Sequence, residues 1–103
     1  MKISICIPTY NRKNLLKAAI ESALRQDYPN IEIIVSDNNS NDGSEESMLI
    51  FRENTNVRYY KNDTNIGPLP NYRKCLYEYA QGDYILFLSD DDELVDPTYI
   101  TQV

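Results

Sequence analysis

Apolar and polar residues alternate along the chain in a pattern that predicts four short β-strands. Isoleucines at every second position mark the first strand, residues 3–7, and we expect Pro8 to close it because proline has no N–H for a strand ladder. Further apolar runs predict strands over residues 31–36, 57–61 and 84–88. Polar stretches separate these runs, so the strands are expected to be joined by turns and helices.

Helical spacing of apolar residues is found between the strands. We expect Asn11 to cap a first helix that breaks at residues 27–30. A less regular helix is predicted over residues 44–54, and a third is predicted from Pro70 to Gly82, with the glycine at the C′ position. The apolar face of the first helix is predicted to contain Leu15, Leu16, Ala19, Ile20, Ala23 and Leu24.

The alternation of strands and helices predicts an α/β fold in a single domain, residues 1–103, with a Rossmann-like parallel sheet and flanking helices. Ligands of such sheets bind beyond the carboxyl ends of the strands, where the strand order reverses. We predict the order 3-2-1-4, because the first and fourth strands must be neighbours to bring Tyr10 and the aspartates at 90–92 to one edge.

Composition excludes several classes of function. The chain has 103 residues, 42% of them hydrophobic, and a net charge of −6, with its ten Lys and Arg scattered along the sequence. Nucleic acid or an anionic membrane surface would require a clustered basic patch, so neither is expected as a partner. With no histidine and only three glycines, the chain cannot form a Ser-His-Asp site, a His-containing zinc site or a Gly-rich phosphate loop.

The two cysteines bear on the cellular compartment. Cys6 lies in an apolar strand and Cys75 on a helix face, without CxxC spacing, so both are interpreted as reduced core residues. No leader pattern and no apolar run of membrane-spanning length is found. We therefore expect a soluble, cytoplasmic chain.

Polar stretches follow three of the predicted strands: "PTYNR", "SDNNSNDGS" and "SDDDE". Asp37, directly after the second strand, could accept from the ring N–H of uracil, thymine or guanine. Tyr10 could stack on a base. The alternative for the loop at 37–43 is plain turn chemistry, since Asn, Asp, Ser and Gly form Asx-turns and helix caps.

Three adjacent aspartates, residues 90–92, follow the fourth strand. Such carboxylates repel one another unless a divalent cation is present, and Mg²⁺ or Mn²⁺ held by one or two carboxylates can bind a diphosphate. The alternative is a solvated loop in which one aspartate caps a following helix near Pro97. The metal interpretation also explains how a diphosphate could be bound without a Gly-rich loop.

Taken in order, "ISICIPTYNR", "QDYPNIEIIVSDNNSNDGS" and "NIGPLPNYRKCLYEYAQGDYILFLSDDDELVDP" resemble the amino-terminal half of the inverting family-2 glycosyltransferases with the GT-A fold. The resemblance implies metal-dependent transfer of a sugar from a nucleoside diphosphate sugar, with UDP as the expected nucleotide, to an acceptor hydroxyl in polysaccharide biosynthesis. It implies a nucleotide site made by Pro8, Thr9, Tyr10, Asp37 and Asp90, in which Asp37 binds the base N–H.

The resemblance also implies a metal site in this chain and a catalytic base outside it. The acidic DXD signature falls within residues 89–92 in either of two registers, from Ser89 or from Asp90, and assigns Mn²⁺ or Mg²⁺ to Asp91 and Asp92. The family's catalytic base is expected downstream of Val103, so we expect the chain to be truncated before the acceptor half and to supply donor binding only. A carbohydrate or lipid-linked acceptor, self-association, and a place at the inner face of the membrane for the longer protein are also expected.

Three other classes were weighed against this interpretation. A nucleotidyltransferase requires a Gly-rich loop after the first strand, and "PTYNR" has no glycine. A Mg²⁺-binding receiver domain requires an acidic pair at the same place. A non-catalytic interaction domain is also compatible with the sequence.

Overall fold

The computed structural model describes residues 1–90, in which one parallel sheet has the strand order β3-β2-β1-β4. The strands are β1 (Ile3–Thr9), β2 (Ile31–Asp37), β3 (Val57–Lys61) and β4 (Tyr84–Phe87). The predicted α/β class and the predicted order 3-2-1-4 are confirmed. The predicted metal ligands Asp91 and Asp92 lie outside the described residues.

The register brings the ends of three strands level with one another. Thr9 of β1 pairs with Asp37 of β2, which in turn pairs with Lys61 of β3. β4 pairs with β1 only as far as Cys6, opposite Phe87. Residues 88–90 therefore lie alongside the last residues of β1.

The prediction that Pro8 closes the first strand is wrong, because β1 continues to Thr9. Successive residues of a parallel strand direct their backbone groups to opposite neighbours, so every second residue faces the same side, and Cys6 O accepts from Leu88 N on the β4 side. Pro8 therefore faces the same side, beyond the last β4 pair, where its missing N–H costs no ladder hydrogen bond.

Three helical segments connect the strands. α1 is Lys13–Leu24, α2 is the short helix Ser44–Ser47 continued by a 3₁₀ turn over Met48–Phe51, and α3 is Pro68–Lys74 continued by a π-helical turn over Cys75–Tyr79. In the described residues, no helix has the length and apolarity that a membrane crossing requires.

The predicted start of the first helix and the predicted end of the second helix are wrong. Arg12, not Asn11, is the N-cap residue of α1, and Asn11 has a positive φ of 51°. A capping side chain accepts from an N–H of its own helix. The Asn11 side chain instead faces the loop after β2, where its Oδ1 accepts from Asn41 N at 2.8 Å. The second helix is also shorter than predicted, since its 3₁₀ turn ends at Phe51.

Gly82 is required by close packing and does not end the helix. α3 begins at Pro68, two residues before the predicted start, and its π-helical turn ends at Tyr79, before an extended Ala80. A Cβ at Gly82 would lie 2.6 Å from Ser4 Oγ and 2.8 Å from Ser4 N. A larger residue would therefore force β1 and the turn before β4 apart.

Helices cover both faces of the sheet. One face packs against α1 and the 3₁₀ turn, and its core includes Ile5, Ile7, Leu16, Ile20, Ile33, Val35 and Phe51. The other face packs Cys6 and Ile34 against Cys75, with Tyr60 and Tyr79 stacked at 4.0 Å between ring centroids. Both cysteines are buried and free, as predicted.

A buried carboxylate, Glu32, links the amino-terminal ends of the strands, at the end of the sheet away from Thr9 and Asp37. Glu32 is 3% exposed, and its Oε2 accepts from Ser4 Oγ at 2.5 Å and from Gln81 N at 2.7 Å. Its Oε1 pairs with Arg58. Burial alone would raise the pKa of Glu32, but these donors lower it below its ordinary value of 4.5.

Candidate functional site

A cleft of ≈530 Å³ opens at the carboxyl edge of the sheet, and we call it the strand-edge cleft. It collects residues from the ends of β1, β2 and β4 and from the start of α3. Four of the five predicted nucleotide-binding residues line it: Pro8, Thr9, Tyr10 and Asp90. The other lining residues are Arg12, Asn38, Asn65, Pro68, Asn71, Tyr72 and Ser89.

Asp90 is held at the end of the cleft by β1. Thr9 Oγ1 donates to Asp90 Oδ2 at 2.8 Å, and Arg12 Nη1 lies 3.7 Å from Asp90 Oδ1. The Asp90 residue is 8% exposed, so its charge is compensated by a hydroxyl and a guanidinium at close range. The sequence pattern did not identify Arg12, although it belongs to the "PTYNR" stretch, because only the fold brings that arginine to Asp90.

Asp37 is completely buried and lies off the lining of the cleft. Its Oδ1 accepts from Ser40 N at 2.9 Å and from Ser40 Oγ at 2.6 Å, and its Oδ2 accepts from Tyr59 OH. Burial and the hydrogen bond to Asp37 raise the pKa of Tyr59. A base N–H would compete with these donors, and the assignment of Asp37 to the base stays a prediction.

Tyr10 forms the rim of the cleft. It is 44% exposed, and it stands between the strand-edge cleft and a second cleft on the α2 side. A ring that keeps this much accessible surface can take a planar ligand on its face. The stacking role of Tyr10 stays a prediction.

A buried network of amides behind the cleft was missed by sequence reasoning. Asn71 Oδ1 accepts from Ser36 Oγ at 2.7 Å and from Asn62 Nδ2 at 2.9 Å, while Asn71 Nδ2 donates to Ser36 O at 2.9 Å. Asn38 joins it, donating to Asn65 Oδ1 at 2.8 Å. The network fixes the loop after β3 against the start of α3, and the repeated asparagines of "NDTNIGPLPN" were the available signal.

An aromatic pair forms the wall on the β4 side. Tyr72 of α3 stacks on Phe87 of β4 with 4.0 Å between the ring centroids and 17° between the planes. Because Tyr72 also lines the cleft, this contact ties the position of the α3 wall to the strand that leads into Asp90.

The metal prediction falls mostly outside the described residues. Of the three predicted acidic residues, Asp90 is described, and its oxygens face Thr9 and Arg12. Within residues 1–90, no group of three Asp, Glu, Cys or His side chains is placed to hold a metal ion.

Comparison with known proteins decides the family. Residues 4–103 match the sequence profile described as Glycosyl transferase family 2. The chain belongs to glycosyltransferase family 2. The resemblance stated from the sequence motifs is therefore confirmed.

Named relatives share this region. The chain is 43% identical over 98 residues to abequosyltransferase RfbV of Salmonella typhimurium. The aligned region covers 91% of this chain and 29% of the relative. It is 38% identical over 96 residues to the GalNAc(5)-diNAcBac-PP-undecaprenol beta-1,3-glucosyltransferase of Campylobacter jejuni, covering 91% of this chain and 31% of that protein. The chain thus spans less than a third of the length of these curated relatives.

Solved structures support the fold. S. aureus TarS 1–349 in complex with UDP has a TM-score of 0.88 and 27% identity, covering 99% of this chain and 30% of that one. Mannosyltransferase PcManGT of Pyrobaculum calidifontis has a TM-score of 0.79 at 22% identity, covering 87% of this chain and 27% of that one, and shows the fold alone. The GT-A arrangement predicted from the sequence is confirmed.

Proposed function

We propose that this chain is the donor-binding part of a metal-dependent, inverting glycosyltransferase, and that its strand-edge cleft binds a nucleoside diphosphate sugar, with UDP as the nucleotide. The observation that carries the proposal is the meeting of Tyr10, Thr9 and Asp90 on one cleft at the carboxyl edge of the sheet. Family membership supports it, as do the UDP and UDP-GlcNAc complexes of TarS.

Each residue on the cleft has a role that follows from its chemistry. Tyr10 stacks on the base, a contact worth about 1–3 kcal/mol by analogy with other base-stacking sites. Asp90, oriented by Thr9, accepts hydrogen bonds from hydroxyl groups of the ribose. Pro8 lines the base pocket. Asp37 binds the base N–H after Tyr59 or Ser40 gives up its hydrogen bond to one of the Asp37 carboxylate oxygens.

The proposed metal is Mn²⁺ or Mg²⁺, held by Asp91 and Asp92. When bound, the cation neutralises the diphosphate of the donor as it becomes the leaving group. Asp90 fits a role toward the nucleotide because its oxygens already face Thr9 and Arg12. Arg12 lies on the same cleft and adds a fixed positive charge near the diphosphate.

Acceptor, base and location are proposed for the longer protein. The catalytic base is placed beyond Val103, so the described domain holds the donor and transfers nothing by itself. A lipid-linked acceptor agrees with the PP-undecaprenol in the name of the Campylobacter relative. For the longer protein we also propose a role in polysaccharide biosynthesis at the cytoplasmic face of the membrane. Because β4 is one of the two outer strands of the sheet formed by residues 1–90, we also propose self-association through that edge.

Calorimetric titration separates this proposal from a receiver-like or interaction domain. UDP is titrated into the 103-residue chain with Mn²⁺ and again with EDTA, and ADP serves as the matched nucleotide. The proposal predicts binding of UDP with Mn²⁺, at least about tenfold weaker binding with EDTA, and weaker binding of ADP because adenine offers no ring N–H to Asp37. Mn²⁺ binding without nucleotide binding would favour the receiver-like alternative, and no binding of either would favour an interaction domain.

A further inference from the structure

A second cleft, of ≈980 Å³, lies on the other side of Tyr10 from the strand-edge cleft. It is bounded by the start of α1, the loop after β2 and the helical segment that begins with α2. We call it the lysine cleft, defined by its lining residues Lys13, Lys17 and Lys61 together with Asn14 and Asn41. Nothing in the donor-binding role uses these side chains.

The charge of the lysine cleft is opposite to that of the whole chain. Three ammonium groups line it and Glu46 is the single acid among the described lining residues, although the chain carries a net charge of −6. Within the part of the chain that the structure describes, Lys13 and Lys17 have no ion-pair partner. Lys61 Nζ lies 3.2 Å from Glu45 Oε1, and Glu46 lines the same cleft, so the lining keeps an excess of positive charge that comes from Lys13 and Lys17.

The walls of the lysine cleft are fixed by hydrogen bonds between its two sides. Asn11 N donates to Ser40 Oγ at 2.8 Å, and Asn41 N donates back to Asn11 Oδ1 at 2.8 Å. Lys13 N donates to Asp42 Oδ2 at 3.1 Å. The loop after β2 is thereby tied to the start of α1, and a ligand would enter a preformed space.

We propose that the lysine cleft binds a phosphate-bearing anion of about the size of a diphosphate, at a site separate from the strand-edge cleft. Lysine ammonium groups bind phosphate as point charges, and the side-chain amides of Asn14 and Asn41 add neutral donors. Because Tyr10 lines both clefts, the anion lies next to the proposed nucleotide site. This proposal goes beyond donor binding and requires neither the base nor the metal.

Titration of sodium pyrophosphate with EDTA, followed by amide chemical shifts, tests the site in the 103-residue chain. EDTA leaves the acidic stretch at 90–92 without a cation, so that region repels the probe. We expect shifts in residues 13–17 and 39–43. The double variant K13Q/K17Q should weaken binding by about fivefold or more, whereas the matched variant R25Q/R52Q, which removes the same charge from exposed positions outside the cleft, should change it less than about twofold.

Asn14→Glu provides a variant that should keep the fold. A carboxylate in the first turn of α1 is favourable to the helix, and that turn has no acidic residue now. The new charge would stand on the cleft lining and should weaken pyrophosphate binding as much as the lysine changes do. Unchanged binding in a folded Asn14→Glu chain would overturn the proposal.

A second arm identifies the source of the phosphate. Phosphatidylcholine vesicles with and without phosphatidylglycerol are sedimented with the chain and with both double variants. Binding of pyrophosphate supports a soluble ligand, and binding of the anionic vesicles alone, lost in K13Q/K17Q, supports a lipid headgroup. Equal weakening by both double variants, or binding of neither probe, overturns the site. Loss of UDP binding with intact pyrophosphate binding would contradict only the proposed donor site.

Discussion

Thr9 Oγ1 donates a 2.8 Å hydrogen bond to Asp90 Oδ2, joining the last residue of β1 to a residue 81 positions later in the chain. Both residues line the strand-edge cleft, and Arg12 Nη1 lies 3.7 Å from the other carboxylate oxygen. The pair therefore fixes the position of Asp90 relative to Tyr10 on this cleft.

Replacing Thr9 with valine tests this positioning. The variant keeps the shape and removes the hydroxyl, so it should weaken UDP binding in the presence of Mn²⁺ by about tenfold and lower the free energy of unfolding by only about 1 kcal/mol. Titration calorimetry and urea denaturation give the two values. Thr55→Val, a matched change at an exposed position away from the strand-edge cleft, should leave UDP binding unchanged. If Thr9→Val binds UDP as tightly as the unmodified chain does, the Thr9 hydroxyl is not required to position Asp90 for nucleotide binding.

Asp91→Asn should abolish the Mn²⁺-dependent part of UDP binding, and Asp92→Asn should do so if the signature begins at Asp90. Removing one charge from a cluster of like charges should leave the melting temperature unchanged or slightly higher in the absence of metal. Thermal unfolding with EDTA and calorimetry with Mn²⁺ check both statements. A folded Asp91→Asn chain with unaltered Mn²⁺ dependence would contradict the metal assignment, and unfolding would indicate a capping role.

Asp37→Asn should reduce stability as well as UDP binding. The sequence alone suggested an effect on the nucleotide only, but the buried carboxylate accepts hydrogen bonds from Ser40 and Tyr59, so the change should cost about 1–3 kcal/mol in unfolding free energy. Tyr59→Phe is the informative partner, because it frees Asp37 Oδ2 without removing the carboxylate. If Asp37 binds the base, Tyr59→Phe should bind UDP at least as tightly as the unmodified chain, and weaker binding would argue that Asp37 only holds the loop.

Glu32 should make stability fall in acid. Its folded pKa is lowered below 4.5, so its stabilising contribution is complete above that pH and is lost as the pH falls through the lowered folded value. Glu32→Gln should reduce the unfolding free energy at pH 7 by about 2–4 kcal/mol, because Arg58 loses its partner, and should flatten the acid dependence. Urea denaturation from pH 7 to pH 3 measures both. An equal loss at every pH would show that the charge of Glu32 does not matter.

Sheet order and cleft were predictable because they depend on patterns that repeat along the chain. Four apolar runs gave the strands, and the polar residues after the first and last required β1 and β4 to be neighbours. The details that failed depend on partners distant in sequence. Asn11 binds the loop after β2, and Gly82 is needed because Ser4 lies within 3 Å of where a Cβ would stand.

The same limit explains what was missed around the site. Asn71 is of a residue type common in turns, and only the fold shows that its side-chain oxygen accepts hydrogen bonds from Ser36 and Asn62. Lys13 and Lys61 are far apart in the sequence, and the fold brings the start of α1 and the end of β3 to one cleft. Pairings of this kind have no local periodicity and cannot be inferred from one sequence.

The most direct test is a crystal structure of residues 1–103 with UDP and Mn²⁺. The proposed arrangement predicts the uracil on the face of Tyr10, the ribose hydroxyls at Asp90, and the Mn²⁺ between the diphosphate and a carboxylate of Asp91 or Asp92, with the Thr9 to Asp90 hydrogen bond retained. A nucleotide bound away from the strand-edge cleft, or a cation that does not contact residues 90–92, would contradict it.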